Sequence, residues 1–304
     1  MSLDLPALRA AVAAHGTLVR ILVVRVAGSA PREAGASMLV WEGGEAGTIG
    51  GGALEAEATA RARAMLAGGP RLAQATEPLG PRLGQCCGGA VTLLWERFDA
   101  ASLPSDLPYA RALAAARGAP PAPPPGAPPL ERGGWIAEAA PATPLALWVW
   151  GAGHVGRAVV AVLAPVPDRA LTWVDLSPGL FPDAPPAGVA VLPAADPVAL
   201  VPYAPRDADH LVMTRSHGLD LALCDALLRH GFASLGLIGS LTKRARFRAR
   251  LAALGHPPAR ILRIACPIGD PALGKHPQAI AVGVAAALLR AQGAGRRAQG
   301  GAAG

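Results

Sequence analysis

Two adjacent cysteines, Cys86 and Cys87, stand between glycines in Leu83-Gly84-Gln85-Cys86-Cys87-Gly88-Gly89-Ala90. Neighbouring cysteines do not make the C-x-x-C geometry of a structural zinc site, and the chain has no second pair to complete one. Flanking glycines leave the sulfurs uncrowded and offer backbone amides that favour an anion or a thiolate. Soft thiolates suit a thiophilic metal centre or sulfur transfer. The competing reading, a small buried hydrophobe, weighs more for the isolated Cys224 and Cys266 than for a glycine-flanked pair.

Two glycine-dense turns precede the cysteines. Gly28-Ser29-Ala30-Pro31-Arg32-Glu33-Ala34-Gly35-Ala36 follows an apolar run, and Gly47-Thr48-Ile49-Gly50-Gly51-Gly52-Ala53-Leu54-Glu55 leads into helix-forming sequence. Such turns can cradle a phosphate or a pterin-type anion on Gly50, Gly51 and Gly52, and the planar guanidinium of Arg32 adds a fork of donors. The alternative is a pair of ordinary tight turns. Glu55 falls in the first helical turn, where a carboxylate suits the helix dipole, so its expected role is structural.

A third glycine pattern lies further on. Gly151-Ala152-Gly153-His154-Val155-Gly156 follows the apolar run Leu147–Trp150 and opens a helix. Gly151 suits a tight turn, Gly153 the approach of backbone to a pyrophosphate, and Gly156 close helix–strand packing. Asp175 stands 19 residues beyond Gly156, at the end of the next strand, where a carboxylate takes a ribose hydroxyl. That context predicts a Rossmann-like fold. A nucleotide bound there is a separate expectation, because folds outlive their ligands. His217, in Thr214-Arg215-Ser216-His217-Gly218-Leu219-Asp220, is a candidate acid/base beyond a strand's carboxyl end.

The elements that position these residues fall into two halves. The first begins with a helix capped by Asp4, with Pro6 in its first turn and Gly16 at its end. Strands are expected at Thr17–Ala27, Ser37–Trp41, about Ala46–Ile49 and Ala90–Trp95, with a helix over Ala53–Ala67. The second half alternates strand and helix: strands at Leu145–Trp150, Ala170–Asp175, Val189–Leu192, His210–Met213, Ser234–Ile238 and Ile261–Ile264. Helices are expected at His154–Leu163, Leu219–Arg229, Thr242–Leu254 and Pro277–Ala291, with a frayed tail beyond Gln292. The fold class is therefore α/β, an N-terminal mixed α+β domain followed by a C-terminal doubly wound parallel sheet. Between the halves, Ala119–Leu130 carries seven prolines in twelve residues and reads as a semi-rigid linker. The expected domains are 1–117 and 134–304, joined by 118–133.

Composition narrows the class of function. Ala, Gly, Pro and Arg dominate the 304 residues, and lysine appears twice, at Lys243 and Lys275. All four abundant residues have GC-rich codons, so the net charge of +7 is weak evidence for a nucleic-acid partner, and none is expected. No apolar run reaches membrane-spanning length and no signal-peptide pattern opens the chain, so a soluble cytoplasmic protein without a membrane partner is expected. One imbalance is local. Between Asp225 and Asp270 there is no acidic residue but there are eight basic ones, five of them on the helix that starts near Thr242. A solvated basic face and a dock for an acidic partner or a phosphate are both open.

Taken in order, these motifs resemble the XdhC/CoxI family, the xanthine dehydrogenase accessory proteins. The resemblance runs from about Val19 to Leu289 through segments 28–36, 47–55, 84–89, 151–156, 236–244 and Cys266-Pro267-Ile268-Gly269. It implies a molybdenum-cofactor chaperone rather than an enzyme. Such a protein binds the molybdopterin form of the cofactor while a cysteine desulfurase supplies its terminal sulfido ligand. It then inserts the cofactor into apo-xanthine dehydrogenase or a related molybdenum hydroxylase. Cys86 and Cys87 match the family's cysteine motif and are the implied contacts to the metal or its sulfur. The loops around Arg32 and Gly50–Gly52 are implied for the pterin and its phosphate. Two positions depart from the family pattern: Arg215 replaces a frequent His, and Leu273 stands where a glycine often precedes Gly274-Lys275. A homodimer and a nucleotide on the Rossmann-like domain stay open. So does a second function, an NAD(P)-dependent oxidoreductase using Gly151–Gly156 and Asp175, which leaves the first half without a role.

Overall fold

The computed structural model describes residues 3–80, 88–113 and 116–300, with side chains up to 291. It divides into two compact units, Met1–Thr143 and Pro144–Gly304.

In the first unit, α1 (Leu5–His15) starts as its sequence requires: Asp4 accepts a hydrogen bond from the Ala7 amide at 2.9 Å, and Gly16 ends the helix. Five strands follow: β1 (Leu18–Ala27), β2 (Ser37–Trp41), β3 (Gly44–Gly47), β4 (Leu72–Pro78) and β5 (Ala90–Phe98). They form an antiparallel sheet ordered β3-β2-β1-β5-β4. The central strand β1 is buried on both faces. Val19, Ile21 and Val23 pack with Leu54, Ala58, Ala62 and Met65 of α2 (Gly52–Leu66), while Leu22 and Val24 pack on the other side with Leu94 and Ile136. Burying each of the Val, Leu, Ile and Met side chains among them contributes about 1.5–3 kcal/mol. Trp95 completes the α2 layer by donating its indole N–H to the Ala58 carbonyl at 3.0 Å.

A second, three-stranded sheet pairs β6 (Tyr109–Ala112), β8 (Trp135–Glu138) and β7 (Leu130–Arg132) in the order β6-β8-β7. It corrects the expected organisation. The proline-rich segment is a connection between β6 and β7 inside the first unit, and the division between units falls at Thr143/Pro144. The cause is strand pairing across the prolines, which ties 130–138 back to 109–112. β8 brings in Glu138, which accepts two hydrogen bonds from the Arg20 guanidinium at 2.7 and 2.8 Å and one from Arg111 at 2.6 Å. Tyr109 donates to Glu96 in the same buried group at 2.5 Å.

The second unit is a six-stranded sheet of β9 (Leu145–Trp150), β10 (Arg169–Asp175), β11 (Ala190–Pro193), β12 (Asp209–Val212), β13 (Ser234–Leu237) and β14 (Ile264–Ala265). Its order, β11-β10-β9-β12-β13-β14, and its uniformly parallel pairing define a doubly wound Rossmann-like sheet. One face is covered by α3 (His154–Leu163) and α7 (Pro277–Gly300), the other by α4 (His217–His230) and α5 (Leu241–Ala253). The short helix α6 (Pro258–Ile261) replaces the start of the expected last strand, because Pro257 and Pro258 set a helical first turn. α7 runs on to Gly300 where a frayed tail was expected, through a stretch in which Ala, Gln and Arg alternate with three glycines that disfavour helix. Among the described residues, no helix is long and apolar enough to cross a membrane.

Candidate functional site

The first unit gathers its glycine motifs where β1 ends and β5 begins, at the Ala27–Ala90 pair. Ser29 and Gly88 form a bridge there. Gly89 lies so close to the first loop that a Cβ would sit 2.2 Å from the Ser29 carbonyl oxygen and 2.6 Å from that of Ala27. Leu79 clamps the same segment, donating to Gly89 at 2.8 Å and accepting from Gly88 at 2.9 Å. The two cysteines immediately precede Gly88 in the sequence and lie outside the described residues. Loop 28–36 also meets loop 47–55. A Cβ on Gly50 would fall 2.8 Å from the Pro31 ring, and Arg32 reaches the Thr48 carbonyl at 3.5 Å.

The second glycine turn already holds an anion. One carboxylate oxygen of Glu55 accepts from the amides of Ile49 (2.7 Å), Gly50 (3.0 Å) and Gly51 (2.8 Å), and also from the Thr48 hydroxyl. The amides of Gly50 and Gly51, expected to serve a cofactor, are thus taken from within, while Gly52 opens α2. Burial works against the charge on Glu55, but the Thr48 hydroxyl and the three amides outweigh it and lower its pKa. A lowered carboxyl pKa stabilises the fold above the ordinary value and loses that contribution as pH falls below it. We expect Glu55→Ala to cost about 1–2 kcal/mol, in the range of a lost charged cap at a half-exposed site. The chemical-denaturation midpoint of the first unit checks this; an unchanged midpoint would sink the structural role given to Glu55.

In the second unit the glycine turn has the expected geometry. A Cβ on Gly151 would meet the Met213 carbonyl oxygen at 2.4 Å, and one on Gly156 would meet the Gly151 oxygen at 2.0 Å. Gly153 has one neighbour within 4 Å of such a Cβ, Arg215 Cγ at 3.9 Å. Asp175, the expected ribose acceptor, ends β10 beside the glycine turn. Its two oxygens accept from the Ala152 amide at 2.6 Å and the Leu176 amide at 2.7 Å, and it is 6% exposed. The carboxylate therefore braces the glycine turn and offers little surface to a ribose.

His217 is exposed at the start of α4. Its nearest expected orienter, Asp220, is buried and committed elsewhere: to the Thr214 amide (3.0 Å) and hydroxyl (2.7 Å), and to Lys243 Nζ (2.6 Å). A His–Asp acid/base pair is not assembled. Cys224 and Cys266 are free and buried, and burial raises both thiol pKa values. No group of three metal-ligating side chains occurs among the described residues.

Sequence reasoning counted Lys243 among the basic residues of its helix and gave it no role of its own. The available signal was composition, since a lysine kept in a chain that otherwise uses arginine holds a position that arginine does not fill equally. It also set the Glu55 carboxylate aside as a dipole effect, although a glutamate four residues after Gly51 can reach back over the turn.

Fold and site together define a two-unit α/β protein whose C-terminal unit is a Rossmann domain and whose N-terminal unit brings its glycine loops together beside Gly88 and Gly89. Residues 147–288 match the XdhC Rossmann domain, and residues 11–75 match the XdhC and CoxI family, together about two thirds of the chain. The chain belongs to the XdhC/CoxI family. The N-terminal match takes in both glycine loops and ends before the cysteines. Among solved structures, one described as a xanthine dehydrogenase from Bacillus halodurans is 21% identical, covers 95% of each chain and superposes with a TM-score of 0.71, which shows the shared fold. A Rossmann-fold NAD(P)-binding family protein from Shigella flexneri is 17% identical over 36% of this chain and 62% of its own, with a TM-score of 0.28 that carries no argument. No curated protein matches the chain.

Proposed function

We propose that this protein is a molybdenum-cofactor chaperone serving xanthine dehydrogenase or a related molybdenum hydroxylase in the cytoplasm. It takes up the molybdopterin cofactor as cargo, keeps it while a cysteine desulfurase supplies the terminal sulfido ligand, and passes it to the apo-enzyme. The observation that carries this reading is the convergence in the first unit: Gly88–Gly89, the end of the cysteine motif, sits against Ser29, three residues from Arg32. A guanidinium near the sheet end that receives the chain from a two-cysteine sequence suits a cargo that is both thiophilic and anionic. Cys86 and Cys87 would contact the metal or its sulfur, and Arg32 the phosphate. Gly50 and Gly51 leave the set of contacts, because Glu55 holds their amides.

A nucleotide on Gly151, Gly153 and Gly156 is the competing reading, and an NAD(P)-dependent oxidoreductase its strongest form. The turn geometry favours it, whereas two backbone amides on Asp175 and the hold of Thr214 and Lys243 on Asp220 speak against a ribose acceptor and an acid/base partner. Titrating molybdenum cofactor against wild type, Cys86→Ala and Cys87→Ala separates the two. At least one variant is expected to retain tenfold less molybdopterin and to lose activation of an apo-hydroxylase. Equal retention and transfer by both variants would overturn the thiolate role, and NADH-dependent turnover of a small substrate would favour the oxidoreductase.

A further inference from the structure

We propose that a cationic cavity in the Rossmann unit, walled by His217 of α4 and by Lys243, Arg246 and Arg250 of α5, binds a phosphate ester or pyrophosphate group. The cavity measures about 440 Å³, within the range of small-ligand sites, and no carboxylate lines it. On α5, positions 243, 246 and 250 share one face, and Lys243 and Arg250 stand about 10 Å apart along the axis. The line of charge is longer than one phosphoryl group and fits an anion with two.

Three features keep this charge available. Among the described residues, Arg246 and Arg250 have no carboxylate partner. The sequence supplies no acid between Asp225 and Asp270 to cancel them. Lys243 is paired with Asp220 at 2.6 Å, which spends one of its three N–H donors and fixes the ammonium at the cavity wall. Gly239 makes room for that placement, since a Cβ there would meet Lys243 Cδ at 2.5 Å. Three cations against one buried carboxylate leave a net charge of about +2 before His217 is counted. The hydroxyls of Ser240 and Thr242 on the same wall add donors suited to phosphoryl oxygens. A concave site between two helices favours a small anion over the flat face of an acidic protein.

This site follows β12 and β13 and shares no lining residue with the glycine turn after β9, and it is independent of the molybdopterin reading, which rests on the first unit. Calorimetric titration of the full chain with inorganic pyrophosphate at low salt tests it. Saturable binding is expected, weakened at least fivefold by Arg246→Gln or Arg250→Gln and more than tenfold by both, while Arg248→Gln stays within twofold. Arg248 lines a different cavity beside Leu237 and Cys266, so it removes the same charge from the same helix elsewhere. The proposal is overturned if wild type shows no saturable binding. It is overturned equally if the double variant binds as wild type does, or if Arg248→Gln weakens binding as much as Arg246→Gln, which would mean a diffuse field and not a site.

Discussion

Replacing Glu138 by alanine is expected to destabilise the N-terminal unit by about 3–5 kcal/mol, the cost of breaking a buried ion pair from one side. The side chains of Arg20 and Glu138 are 4% and 1% exposed, and the carboxylate accepts from both Arg20 and Arg111. Without it two guanidiniums stay buried, with Glu96 as the remaining carboxylate; Arg111 Nε lies 3.1 Å from Glu96 Oε2 without the geometry of a hydrogen bond. Acid should reproduce part of the effect. Burial alone would raise the Glu138 pKa, but Arg20 and Arg111 overcome it and hold it at about 2. Its contribution is complete above the ordinary carboxyl pKa and is lost as pH falls from there through 2. Glu96 runs the other way. Burial, with the Glu138 charge adding to it, outweighs Arg111 and raises its pKa, so its contribution declines as pH rises through that value. Denaturant midpoints measured down to pH 3 check both parts. A Glu138→Ala loss below 1 kcal/mol at neutral pH would show that the network does not hold the three-stranded sheet to β1.

Gly89→Ala is expected to cost the same unit about 3 kcal/mol and, on the proposed function, to lower its retention of molybdopterin, whereas Gly88→Ala should cost about 1 kcal/mol. The two glycines are neighbours with different constraints. Gly88 has φ +65 and open space around a Cβ, so an alanine pays the left-handed backbone penalty alone. At Gly89 the new carbon would meet two backbone oxygens, at 2.2 and 2.6 Å, and backbone cannot rotate away as a side chain can. Relief requires opening the Ser29–Gly88 bridge, which separates the cysteine motif from the loop that carries Arg32. Equal losses for the two variants would mean that the close approach is not what shapes this end of the sheet.

The Rossmann half was the more legible because its signals are local. β9 and α3 have the bounds expected for them, since an apolar run stops at Gly151 and a helix opens after Gly153. The three-stranded sheet was missed for the opposite reason. β6 and β7 have four and three residues, β7 is exposed throughout, and proline surrounds them, so neither shows an alternating pattern. β4 lies at the edge of its sheet, with Gln74, Thr76 and Glu77 diluting its apolar residues. Arg20 was an unread clue: a charge inside the apolar run of β1 needs a buried partner, but that partner stands 118 residues away. The glycine motifs were legible as motifs, while their division of labour was not, because Glu55 and Asp175 use their carboxylates within the protein.

The carboxylate seated over Ile49–Gly51 makes that loop a self-occupied anion seat. Its amides are already in an anion-holding arrangement, and the occupant is tied to the chain four residues downstream of Gly51. A tethered competitor acts at an effective concentration on the order of millimolar or above. A small anion of ordinary affinity therefore finds the seat taken. In that sense the glutamate is the loop's own ligand: it occupies amides that would otherwise attract simple phosphates, and it fastens the first turn of α2 to the glycines before it.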